Sequence, residues 1–198
     1  MTTVGNRTAD HLIDPMFLER WSPRAFTGEA MGKADLMTIM EAARWAPSSY
    51  NSQPWRFVYA RRDTPHWEPM LSLLNDFNRS WAKDAGALVV LASSETMLPP
   101  GKDTPVPAYS HSLDAGSAWG YMALQATKLG WYTHGMVGFD IDRAFAELGF
   151  PPGYRVEVAI AIGRKGDASL LPEMLAGREM PSPRLPLAEI VFEGKFGG

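Results

Sequence analysis

The segment Leu113 to Leu129, LDAGSAWGYMALQATKL, constrains this chain more than any other. Small and apolar residues fall on nearly every side of it. As a helix it has no clear wet face, so most of its circumference must be covered. Gly130 follows as a stop. The sequence is 198 residues long, and at a loose ~150 residues per domain it predicts one domain spanning the whole chain. In one domain such a helix belongs at the centre of the core or at the heart of a dimer interface. Seven Trp and 11 Met also fit broad apolar contacts with a flat ligand or a second subunit, although both residues are ordinary in cores.

Around that helix the pattern alternates. Asp14 to Phe26 reads as a helix running into a loop, with Pro23 as its end. Lys33 to Trp45 reads as an amphipathic helix, with Leu36, Ile39, Met40 and Ala43 on one face and Pro47 beyond it. Trp55–Ala60 and the apolar run Ala87–Ala92 read as strands, with a helix over Trp67–Phe77 between them. Ser94 to Ser112 reads as a Pro-rich loop of the length that often forms a lid. Asp142–Leu148 predicts a short helix capped by Asp140. Tyr154–Gly163 is the clearest strand, with Val156, Val158, Ile160 and Ile162 expected on one face. Glu189–Phe192 ends the chain as a possible strand. The fold class expected is α+β, or a mixed three-layer arrangement.

Composition excludes several chemistries. Hydrophobic residues make up 45% and charged residues 21%, ordinary for a globular chain. A net charge of −3 gives no electrostatic case for nucleic acid. Cysteine is absent, so redox chemistry must come from a bound cofactor. The four His make no metal-binding spacing, so no metal is expected. Phosphate-loop, dinucleotide-loop and G-x-S-x-G patterns are missing. The opening residues carry no apolar run, and no run of about 18 apolar residues occurs. The expectation is a cytoplasmic protein without a membrane partner.

Three constellations carry chemistry. In ERWSPRAF, Arg20, Ser22 and Arg24 stand at every second position, so an extended backbone puts them on one face. Two guanidiniums and a hydroxyl there suit a phosphate. They also fit a solvated arginine pair. In WAPSSYNSQPW, the Asn51 and Gln53 amides can donate and accept at once, which suits a planar heterocycle. The same residues also fit a plain turn. In SPRLP, prolines stiffen the backbone around Arg184. A Pro-rich tail over the surface is the alternative there.

Together, R-x-S-x-R-x-F, an amphipathic helix and A-P-S-S-x-N-S-Q-P-W-x-F resemble the nitroreductase-like FMN oxidoreductases. The likeness continues through Asn78 in NRSWAKDA, the central helix, LGWYTHGMVGFD and SPRLPL. It implies a three-layer α/β/α sandwich with a mixed, mainly antiparallel sheet. It also implies an intertwined homodimer that exchanges a C-terminal arm, about 181–198. FMN would lie at the dimer interface. Arg20, Trp21, Ser22 and Arg24 match the phosphate and pyrimidine-side segment, and Arg184 matches a second phosphate-binding arginine. Pro47, Ser48, Ser49, Asn51 and Gln53 fall in the strip given by the other subunit. Asn78 matches a residue at the ring edge, and Val137 and Gly138 match the backbone near N5.

The implied activity is ping-pong reduction of a nitroaromatic, quinone or other small oxidised acceptor, with NADH or NADPH as co-substrate. No acid or base side chain is required. Arg24 is the candidate for electrostatic support of the reduced flavin. The chain departs from the family pattern in three places. Trp81 stands where many relatives carry lysine, Val137 where some carry glutamate, and Ser182 where some carry a second basic residue. Dehydrogenase, deiodinase or flavin-cleaving chemistry on the same fold is the alternative enzyme reading. A non-enzymatic flavin-binding protein, its cleft filled by the Ser94–Ser112 loop, is the other.

Overall fold

The fold is described from a computed structural model covering residues 1–197. The last residue of the expected 181–198 arm lies outside the described residues. In chain order, β1 (Thr3–Val4) and β2 (Arg7–Thr8) form a short hairpin. Next come α1 (Met16–Glu19), α2 (Lys33–Arg44), β3 (Trp55–Arg61), α3 (Trp67–Leu71), α4 (Asp76–Ala82) and β4 (Ala87–Ser94). The small pair β5 (Thr96–Met97) and β6 (Val106–Pro107) precedes α5 (His111–Lys128). Then follow β7 (Tyr132–Met136), α6 (Ile141–Glu147), β8 (Tyr154–Gly163) and α7 (Glu173–Ala176).

The main sheet has the order β3-β4-β8-β7, and each of its pairings is antiparallel. The protein is α+β, with helices on both faces of this sheet. One face packs Leu88, Val90, Ala159 and Ala161 against Trp81, Leu74 and Phe139. The other packs Val89, Leu91, Ile160 and Ile162 against α2 and α5. β4 and β8 are covered on both faces, which is why they read as continuous apolar runs. Each fully buried Ile or Leu there is worth roughly 1.5–3 kcal/mol.

Val156 departs from the face expected of it. Leu91 pairs with Val158 and Ala92 with Val156, leaving Glu157 as the extra residue of a β-bulge. A bulge reverses side-chain alternation. Val156 therefore joins the first core while Val158 packs on the second.

Three further elements differ from the sequence reading. The helix expected from Asp14 with its end at Pro23 stops at Glu19, and Arg20 turns extended at φ −66°, ψ 121°. Trp67–Phe77 is broken: α3 ends at Leu71, and Asn75 starts α4 by accepting from the Asn78 amide at 2.9 Å. Leu187–Glu189 forms a 3-10 turn in place of the expected strand. The Ser94–Ser112 segment keeps its loop character but is pinched by the β5–β6 pair.

α5 buries a stripe of Ala115, Ala118, Met122 and Ala126. Its other side leaves Leu113 73% and Tyr121 43% exposed. The helix thus stands at the core and also presents apolar surface outward. Among the described residues no helix is long and apolar enough to cross a membrane.

Candidate functional site

The Arg20–Ala25 strip runs extended beside the end of β7, held from behind by two groups. Glu179, beyond α7, accepts from the Arg24 and Ala25 amides at 2.7 and 2.8 Å. Charge-assisted bonds of this kind are the strong ones. His134 on β7 lies 2.9 Å from the Pro23 carbonyl through Nδ1. A carbonyl only accepts, so Nδ1 carries the proton. Trp81 stacks beneath His134, ring centroids 4.6 Å apart, and Phe26 flanks Trp81 at 6.2 Å.

This support sets which side chains face outward. Pro23 is buried, whereas Arg20, Trp21, Ser22 and Arg24 are part-exposed. Arg20 Nη1 reaches the Ser22 hydroxyl at 3.4 Å, as period-two spacing requires. Burial lowers the Arg20 guanidinium below its ordinary value, and the nearby Arg184 charge lowers it further. Arg7 bonds the carbonyls of both Arg20 and Ser182, so the strips carrying Arg20 and Arg184 meet from opposite ends of the chain. Arg24 Nε is buried without a hydrogen-bond partner.

Asn78, on α4 with Trp81, meets Gly138 just beyond the end of β7. The Gly138 carbonyl accepts from Asn78 Nδ2 at 2.9 Å and from the Asn75 amide at 3.1 Å. A Cβ on Gly138 would lie 2.6 Å from both asparagine Nδ2 atoms, so only glycine fits. Val137 is 77% exposed beside it. A groove of about 570 Å³ opens here, lined in part by Asn75, Arg79, Val137, Gly138 and Arg143.

Pro47, Ser48, Ser49, Asn51 and Gln53 lie apart, at the opposite edge of the sheet where β3 begins. Ser49 donates its amide to Asp114 at the start of α5 at 3.1 Å. Ser48 Oγ accepts from the Gln53 amide at 3.0 Å. Tyr50, Asn51 and Gln53 hold φ of 51°, 53° and 48°. Left-handed backbone at non-glycine residues costs of order 1–3 kcal/mol each and collects at functional sites. This loop leads into β3, at the sheet edge opposite the β7 edge that holds the arginine strip.

Sequence reasoning missed Arg7, Asn75, His134 and Glu179. Asn75 had a signal, since it precedes a helix at capping spacing. The other three act across long sequence separations and carry no local pattern. Trp81, where the family resemblance implies a lysine, is 1% exposed and packs under the His134 ring.

A sequence profile of the nitroreductase family matches residues 18–164. The chain belongs to the nitroreductase family. A solved oxidoreductase containing FMN is 47% identical, with a TM-score of 0.96 over 100% of both chains. A Desulfovibrio desulfuricans chain solved in complex with FMN is 27% identical, with a TM-score of 0.69 over 93% of this chain and 99% of that one. The NADH dehydrogenase of Thermus thermophilus is 27% identical, over 88% of this chain and 92% of its own.

The His134 floor gives this family member a pH dependence. Desolvation by burial is the main cause pushing its imidazole below the ordinary value; the Pro23 carbonyl opposes it. The unfolded chain then binds a proton that the folded chain refuses. Stability from this group is present above the unfolded value of 6.5 and is lost as pH falls below it. One proton accounts for at most about 1.4 kcal/mol per pH unit. Thermal midpoints should fall from about pH 7 to about pH 5, and His134→Gln should flatten part of that slope. Identical slopes in both proteins would assign the effect to other groups.

Proposed function

We propose that this nitroreductase-family chain is a cytoplasmic FMN-dependent oxidoreductase. It takes hydride from NADH or NADPH and delivers it to a small oxidised acceptor, a quinone or nitroaromatic, in two half-reactions. The observation that carries the reading is the convergence of the strips that hold Arg20 and Arg184, whose Arg20 and Ser182 carbonyls are bonded by one guanidinium. The residues fit the cofactor. A pair of guanidiniums suits a phosphate dianion, and the buried Arg24 Nε lacks a partner.

In this reading Arg20, Ser22 and Arg184 hold the phosphate, with Trp21 flanking them. Arg24 would face the pyrimidine edge and Asn78 the ring edge, with the Val137–Gly138 backbone near the reactive nitrogen. Bound here, FMN would supply the hydride chemistry that links a nicotinamide donor to an oxidised acceptor, with negative charge developing on its pyrimidine side. Arg24 stabilises that charge, and no side chain acts as acid or base. The groove beside Gly138 admits donor and acceptor in turn.

The protein works as a single-domain homodimer. The exposed side of α5 supports this, as does the 182–190 strip, which is exposed at every residue. Ser182 and Leu187 are held by Arg7 and Asp10 of the same chain, so the exchange expected of the 181–198 arm falls to the residues beyond Leu187. The 47–53 loop, at the sheet edge opposite its own chain's arginine strip, completes the site of the second copy.

Arg24→Gln keeps donors and removes the charge. Loss of ~2 kcal/mol of differential stabilisation lowers a two-electron midpoint by about 40 mV. Flavin affinity should change little, as dye-equilibration potentials and binding titrations will read. An unchanged potential with collapsed FMN affinity would move Arg24 onto the phosphate. The function itself is tested by light scattering and by FMN-dependent NAD(P)H oxidation with menadione or nitrofurazone. A dimer that turns over either acceptor is expected. A flavin-loaded monomer, or no turnover with any donor and acceptor pair, would overturn the reading.

A further inference from the structure

Arg7 belongs to neither arginine motif, yet its guanidinium sits where both strips meet. Nη1 donates to the carbonyls of Leu18 at 2.8 Å and Arg20 at 2.9 Å, and Nε donates to the carbonyl of Ser182 at 3.2 Å. One side chain thus fastens the strip leading into Arg20 to the strip leading into Arg184, 175 residues away from itself. The flat fork of a guanidinium can serve several carbonyls in one plane, which a lysine ammonium cannot reproduce. Its backbone is fixed too, because Arg7 pairs with Val4 in the β1–β2 hairpin.

The charges point the same way. Burial lowers the Arg7 guanidinium first, and then the Arg184 and Arg20 charges lower it further. Arg20 feels Arg184 in the same sense. Among the described residues, the ion pairs formed elsewhere involve none of these three arginines. Gathering like charges without acidic partners is unfavourable unless an anion offsets it.

We infer that Arg7 is a positioning residue for the 5′-phosphate of FMN. It locks the Arg20 and Arg184 strips at a spacing that a phosphate dianion bridges, and it adds a third positive charge. The inference rests on the flavin reading above. It gives the N-terminal hairpin a task in cofactor binding that neither motif reveals.

The test compares FMN with riboflavin, which lacks the phosphate, by fluorescence titration of the full-length flavin-free chain. Wild type, Arg7→Gln and Arg7→Lys are titrated at low and high salt, with thermal unfolding as the fold control. Arg7→Gln should weaken FMN about tenfold at low salt, the ordinary weight of one charge-assisted contact. Arg7→Lys keeps the charge and loses the fork, so its loss should be smaller, and it carries the test if the glutamine variant does not fold. Riboflavin affinity should stay within about twofold in both, and the FMN difference should narrow as salt screens the charge. Unchanged FMN affinity, or equal losses for FMN and riboflavin, overturns the Arg7 assignment while leaving the flavin reading intact. A wild-type chain that takes up neither flavin overturns both.

Discussion

Replacing Arg20 or Arg184 by alanine should weaken FMN binding by about one to two decades while leaving the flavin-free fold nearly as stable as before. A lost charge-assisted phosphate contact costs roughly 1.5–3 kcal/mol, which sets the size of the effect. The structure explains why folding is spared. Arg20 makes one long contact to Ser22 at 3.4 Å, and Arg184 bonds only nearby carbonyls in its own strip, Pro183 at 2.9 Å and Ser182 at 3.4 Å. Removing either side chain also relieves like-charge repulsion. The double variant should fall short of the product of the single losses, because neighbours around one anion are not additive. Flavin fluorescence titration reads the affinity and thermal unfolding reads the fold. Unchanged affinity in both variants would put the phosphate elsewhere.

Trp81→Ala should have the largest effect on stability, a loss of about 3–5 kcal/mol. For a chain of this length that lowers the thermal midpoint by roughly 6–20 °C. The indole is fully enclosed, and its N–H has no hydrogen-bond partner, so the loss is one of packing and cavity formation. The site follows the core here. Trp81 carries the His134 ring, His134 holds Pro23, and Pro23 anchors the arginine strip. Flavin affinity should therefore drop as well, by less than in the arginine variants. Trp81→Phe, which refills most of the space, should recover most of both. A loss below about 1 kcal/mol in Trp81→Ala would show that the floor bears no weight.

Residues whose partners lie nearby in sequence were legible. The central helix, the buried strands β4 and β8 and the Asp140 cap follow from local periodicity and end signals. The paired spacing of Arg20 and Ser22 was legible for the same reason. β7 was not, because YTHGM has no apolar alternation and is held by pairing with β8. The reversed face of Val156 depends on a bulge that only the opposing strand defines. The helix expected to end at Pro23 stops already at Glu19, because the Glu179 anchor holds the backbone around Arg24 in an extended strip. Arg7, His134 and Glu179 escaped for a related reason. Each acts through backbone groups more than 10 residues away, and backbone carbonyls and amides leave no mark in a sequence.

On the proposed function, this chain binds FMN and reduces it with a nicotinamide. The visible spectrum of the purified protein, followed by anaerobic addition of NADH and then NADPH, tests it most directly. The expected result is a yellow protein whose released flavin is FMN and whose visible flavin absorbance bleaches with at least one donor. Recovery of FAD, failure to take up added FMN, or a bound flavin that neither donor bleaches would contradict it.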